Sequence, residues 1–174
     1  MRISTRLLCR LLTAAAVASL ATPSFAQADL KAAVLKHLAT SRDFTLKVAN
    51  QMPEDSYSFK LTPPQMSFAE QMVHLSQAFQ EFLSPLSGNP PKFEKPASLN
   101  KPDVLAFMKK SFDGAIEQVS KLTPEQISKS YRTGGGSVTG VDLLLELMDH
   151  TTHHRASAEM YLRAKGITPT EYEF

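Results

Sequence analysis

Two histidines four residues apart, His150 and His154, are where the type and spacing of residues in this chain first suggest chemistry. In a helix such a pair projects from one face, a turn apart, so both imidazoles can reach one ion. Leu143, Leu147, His150, His154 and Tyr161 follow the three-and-four spacing of a core-facing stripe, which turns the pair inward. Two imidazoles buried side by side are costly to protonate together, and a shared metal relieves both desolvation and repulsion. Alone, the pair reads equally well as two core or surface histidines with ordinary hydrogen-bond partners. His74 shifts that balance, because it lies inside another amphipathic segment, remote in sequence, as ligands from facing helices of a bundle do. Its place beside Leu75, at the edge of its stripe, makes an inward orientation plausible but not compulsory. Three nitrogens from two helices leave a position for water or substrate, the arrangement of a catalytic or exchangeable site. The expected ligands of a divalent transition metal are therefore His74, His150 and His154. Imidazole suits zinc, copper, iron and nickel alike.

Other polar residues gather round this pattern. Arg155 and Tyr161 flank it and could hold an anion or a polarised carbonyl; the plainer alternatives are a helix-surface cation and a core aromatic with its hydroxyl at the rim. Glu146, one turn before His150, could buttress an imidazole N–H or add a carboxylate, although solvent-exposed salt bridging is the commoner fate of a helical Glu. His153 is adjacent to His154, so its ring leaves the helix in another direction, towards the ligands' surroundings or the surface. His37 has no evident partner and is expected at the surface. No residue stands out as a general base.

The elements that must position these groups read as helices. Ala28 to Gln51 lacks Gly and Pro and repeats Leu30, Val34, Leu38 and Leu46 at roughly helical spacing. Glu54 to Pro64 cannot continue that helix and reads as an extended linker. Ser67-Phe68-Ala69-Glu70 fits a capping box, and the helix it opens carries Phe68, Met72, Leu75, Phe79, Phe82 and Leu83 until Pro85 and Gly88 end it. Pro90, Pro91 and Pro96 punctuate a long crossover. Asn100 then caps a third helix with Val104, Leu105, Met108, Phe112, Ile116 and Val119. Thr123 to Gln126 starts a short extra turn, and Tyr131 to Gly136 reads as a flexible, Gly-rich loop. Thr139 to Asp142 caps the fourth helix, which runs to about Lys165, with Gly166 at its C′ position and Pro169 beyond. The expected fold is all-α, a four-helix bundle with a long crossover between helices two and three and no strand pair.

The first 26 residues read as an address. Arg2, Arg6 and Arg10 form a basic region, Leu11 to Ala21 an apolar one too short to span a bilayer, and Ser24-Phe25-Ala26 a cleavage signal. Cys9 precedes the apolar run and follows Leu8, so lipidation is not expected. A periplasmic or secreted product of residues 27–174 follows, one domain without a stable membrane anchor. With the leader's three arginines gone, nineteen basic residues fall to sixteen against seventeen acidic ones, which removes the electrostatic footprint of a nucleic-acid binder. The only cysteine also leaves, so neither a disulfide nor a thiolate is available.

Several of these stretches together resemble the DinB-like superfamily, also called DinB/YfiT-like. They are Met52-Pro53-Glu54 through Tyr57 and Phe59 to Thr62-Pro63, then Met66-Ser67-Phe68 with His74, and Asp149 to Arg155 followed by Tyr161-Leu162-Arg163 and Gly166 to Pro169. The resemblance implies a four-helix bundle with a long crossover, in which His74, His150 and His154 bind a divalent metal, often taken to be zinc or nickel. Relatives include thiol-dependent S-transferases and a maleylpyruvate isomerase, in which the metal activates a low-molecular-weight thiol. Many relatives continue His-Arg with Gly-Gln, where this chain has Ala156-Ser157. The expected function is a metal-dependent enzyme of the thiol-transferase or hydrolase type acting on a small molecule. The alternative is a non-catalytic metal-binding or scaffold bundle of the envelope, and a homodimer through outer helix faces is compatible with either.

Overall fold

The computed structural model describes residues 22–174. The leader expected at 1–26 therefore lies largely outside the described residues. The first helix, α1 (Thr22–Gln51), begins before the expected Ala28. Its buried positions, Val34, Leu38, Ser41, Phe44, Thr45, Val48 and Ala49, recur every three or four residues, so one seam faces the core. Two members of that seam are hydroxyl residues, and the buried Thr45 Oγ1 has no hydrogen-bond partner.

The linker after α1 contains a 3-10 turn at Glu54–Ser56 and then serves the next helix directly. The Phe68 and Ala69 N–H groups, which lack partners inside their own helix, donate to Phe59 O and Tyr57 O, both at 2.9 Å. The capping box completes the start: the Glu70 N–H donates to Ser67 Oγ (3.3 Å) and the Ser67 N–H to the Glu70 carboxylate (2.6 Å). The single second helix read from the sequence is two, α2 (Phe68–Gln77) and α3 (Phe79–Ser87). At the break, the Glu81 N–H reaches Ala78 O, three residues back. Pro85 sits inside α3 instead of ending it, and the stop is Gly88, with φ of 71°.

The crossover leads to α4 (Lys101–Lys121), capped by Asn100, whose side chain accepts from the Asp103 N–H. A short α5 (Pro124–Ser128) follows, then a feature the sequence reading excluded. Residues read as a flexible loop form an antiparallel hairpin, β1 (Ser130–Thr133) against β2 (Gly136–Thr139), with Thr133 opposite Gly136. The intervening Gly134-Gly135 is a two-residue connection of the kind that closes hairpins. Last comes α6 (Gly140–Ala164), opened by Thr139 and Asp142 and closed by Gly166, beyond which the Ile167 N–H returns to Leu162 O (2.9 Å).

The long helices pack as a four-cornered bundle: α1 touches α4 and α6, and α2 and α3 touch the same two from the other side. The core contains Leu38, Phe44, Phe68, Met72, Phe79, Met108, Phe112 and Leu147, each at most 1 % exposed. The fold is all-α apart from the small hairpin. Among the described residues, no helix is long and apolar enough to cross a membrane.

Candidate metal centre

The apolar stripes of α2 and α6 seat these helices against one another, and the contact brings together His74, from the end of α2, with His150 and His154 from the middle of α6. One ring nitrogen from each of the three lies within 4.8 Å of the others. His154 is buried, whereas His74 and His150 are partly open. The ring centroids are 4.2 Å apart for His150 and His154, 4.7 Å for His74 and His154, and 5.3 Å for His74 and His150. The Nε2 atoms of His150 and His154 approach to 3.0 Å, with no carboxylate in the group.

Burial dominates the electrostatics. It pushes His154 down to about 3 from the ordinary 6.5, helped by the neighbouring His150, His74 and His153. It pushes His150 down to about 4, with His74 and His153 adding to the effect. Both rings are therefore neutral near pH 7, the state in which imidazole offers a lone pair to a cation.

The side chains fit a metal on two counts. Ligand nitrogens on a tetrahedral ion with bonds of about 2.0–2.1 Å lie about 3.3 Å apart, close to the 3.0 Å between the two Nε2 atoms. His154 Nδ1 is 2.6 Å from the buried Gln71 side-chain amide. That partner fixes the ring, and its amide can turn its oxygen to accept an Nδ1–H when Nε2 is given to an ion. The other nitrogen of His150, the buried Nδ1, has no partner among the described residues.

Gln71 is the member that sequence reasoning missed. It lies one turn before His74, a polar residue inside the apolar stripe of α2, and that spacing was the available signal. Phe82 was read only as core, yet its ring meets His150 edge-on at 5.5 Å.

The remaining candidates disperse. Tyr161 is buried and donates from its hydroxyl to Met66 O (2.6 Å). It lines a cleft of about 420 Å³ together with Gln71, His154, Ser157 and the exposed His153. Leu61, Pro64, Met66 and Met160 supply apolar walls, and among the described residues no Lys, Arg, Asp or Glu lines the cleft. Glu146 is exposed and outside the ligand group. Arg155, expected beside the ligands, faces α1 instead, with its guanidinium carbon 4.6 Å from the Phe44 ring centre and 5.1 Å from that of Phe174. A step of one residue turns a helix by about 100°, which separates its direction from that of His154. His37 is exposed, as read from the sequence, and stacks on Phe174 at 5.2 Å.

A helical bundle with three convergent histidines on two facing helices is the framework already on view, and the chain belongs to the DinB family, whose model matches residues 25–174. It is similar to the uncharacterized protein YjoA of Bacillus subtilis (strain 168), with 27 % identity over 139 residues, 78 % of this chain and 90 % of that protein. The crystal structure of that DinB-like protein superposes with a TM-score of 0.70 at 26 % identity, covering 80 % of this chain and 95 % of the other. A DinB-like protein from Bacillus cereus ATCC 10987 gives the same TM-score and coverage at 18 % identity, a likeness of fold.

Proposed function

We propose that this chain is an exported metal-dependent enzyme in which His74, His150 and His154 hold one divalent transition ion, with zinc or nickel the first candidates. The observation that carries this reading is the meeting of three imidazoles, from two helices, with their nitrogens within 4.8 Å, two of them, His150 and His154, kept neutral by burial. A bound divalent ion supplies Lewis acidity, lowering the pKa of a coordinated water or thiol towards neutrality. The protein's part is orientation. Gln71 holds the His154 ring in place, and Phe82 covers one side of His150. The cleft beside His154 admits a small molecule, with Gln71, His153 and Ser157 as its polar contacts.

Thiol transfer or hydrolysis is the reaction type that suits these groups. The chain's basic, apolar and small-residue N-terminal pattern supports export. A core built from all the long helices supports a bundle that outlasts metal removal, as an enzyme's apo form does and a metal-nucleated fold does not.

The test is metal content. Untagged protein is analysed by plasma mass spectrometry beside the His150→Ala/His154→Ala double variant. About one equivalent in the parent and none in the variant is the expected result for a single three-ligand site. A parent still empty after reloading with zinc, nickel, iron and copper, or a variant that binds as well, overturns the reading.

A further inference from the structure

Arg155 is a buried cation that makes no direct ion pair among the described residues. The residue is 3 % exposed, and guanidinium stays charged at any working pH. Among the described residues its one side-chain hydrogen bond is Nη1 to Ser41 Oγ at 3.5 Å, the outer limit for such a contact. Glu159, one turn further along α6, partly offsets its burial through space without closing a salt bridge. Phe44 and Phe174 lie against the guanidinium and supply cation–π attraction. The five N–H donors at its edge are almost unspent. Buried charges are ordinarily paired, because desolvation is otherwise uncompensated.

A cavity of about 200 Å³ opens at this side chain, bounded also by His37, Asp149, Thr152, Tyr172 and Phe174. At about 30 Å³ per water, it has room for a molecule of several heavy atoms. The guanidinium edge matches a carboxylate in two-point geometry, and Tyr172 and Phe174 offer apolar surface for whatever the carboxylate carries. Asp149 on the boundary sets a negative charge against a dianion, which favours a carboxylate over sulfate or phosphate.

We propose that this cavity binds a small monocarboxylate, gripped by Arg155 with its hydrocarbon part against Tyr172 and Phe174. The site lies on the α1 side of α6 and does not depend on the histidine centre.

The side-chain Nε–H resonance of Arg155 reads the site directly when the purified protein is titrated with benzoate, with neutral benzamide and with sulfate. Benzoate should move the resonance saturably, and the other two should bind at least about tenfold more weakly, a difference of about 1.4 kcal/mol. The same titration should be unchanged in His74→Ala. Arg155→Gln should abolish the benzoate response elsewhere around the cavity. Should that variant fail to fold, Phe174→Ala, altering a half-exposed wall, should weaken benzoate while leaving acetate unaffected. Lack of saturation, equal response to benzamide, or indifference of benzoate binding to Phe174→Ala would overturn the proposal. So would a resonance that ignores benzoate yet shifts on Glu159→Gln, because Glu159 would then be the missing counter-ion.

Discussion

The Gln71 side-chain amide lies 2.6 Å from Nδ1 of His154, linking α2 to α6 one helical turn away from His74. Because that contact fixes the ring's orientation, Gln71→Ala should weaken metal binding by about 10–100-fold while leaving the number of bound ions unchanged. Competition against a chromophoric chelator measures the affinity. An unchanged constant would mean that the amide is only packing.

Acid should weaken the metal-free fold through the same rings. His150 and His154 ionise at about 4 and about 3 in the folded protein, against 6.5 ordinarily. Between those values the unfolded chain takes up protons that the folded chain refuses. Stability is therefore full above about pH 6.5, falls as pH drops towards 4 and 3, and levels off below. Urea midpoints of metal-free protein should show this slope, and a His150→Gln/His154→Gln variant should flatten it. Parallel curves for the two proteins would remove the histidines as its source.

Gly140 should tolerate no side chain. A Cβ there would stand 2.4 Å from Gln126 O and 2.6 Å from Ile127 O, both backbone atoms of α5. Gly140→Ala should cost about 1–3 kcal/mol, the usual range for overpacking, seen as a lower thermal midpoint. A midpoint equal to the parent's would show that α5 can move aside freely.

Thr45→Val should have the opposite sign. The substitution keeps the branched shape and removes a buried hydroxyl with no partner, so a gain of about 1 kcal/mol is expected in chemical denaturation. Destabilisation would show that the hydroxyl is satisfied in solution.

The helices were legible because their ends are written in short-range chemistry. Ser67/Glu70, Thr139/Asp142 and Asn100 cap where the spacing said they would. The hairpin was not legible, since strands of four residues are too short to establish a period of two, the second does not alternate at all, and their Gly-Gly connection also reads as a loop. The break at Ala78 left no mark either, for the visible helix breaker, Pro85, lies well beyond it. In the site, helical spacing found the three histidines but could not orient Arg155. The buried face of α6 includes both residues 154 and 155, so burial alone does not say which neighbouring helix each side chain meets. Gln71 escaped because a lone amide within an apolar stripe has no motif.

His74 lies far along the chain from His150 and His154, and the three meet only when α6 docks on α2. A ribosome-bound fragment ending before His150 holds a single ligand and cannot capture an ion in competition with the cell's other chelators. On the proposed reading, loading would be a late event, governed by which ions are free in the compartment where folding finishes. With three imidazoles acceptable to several metals, cellular geography would then become part of the protein's selectivity.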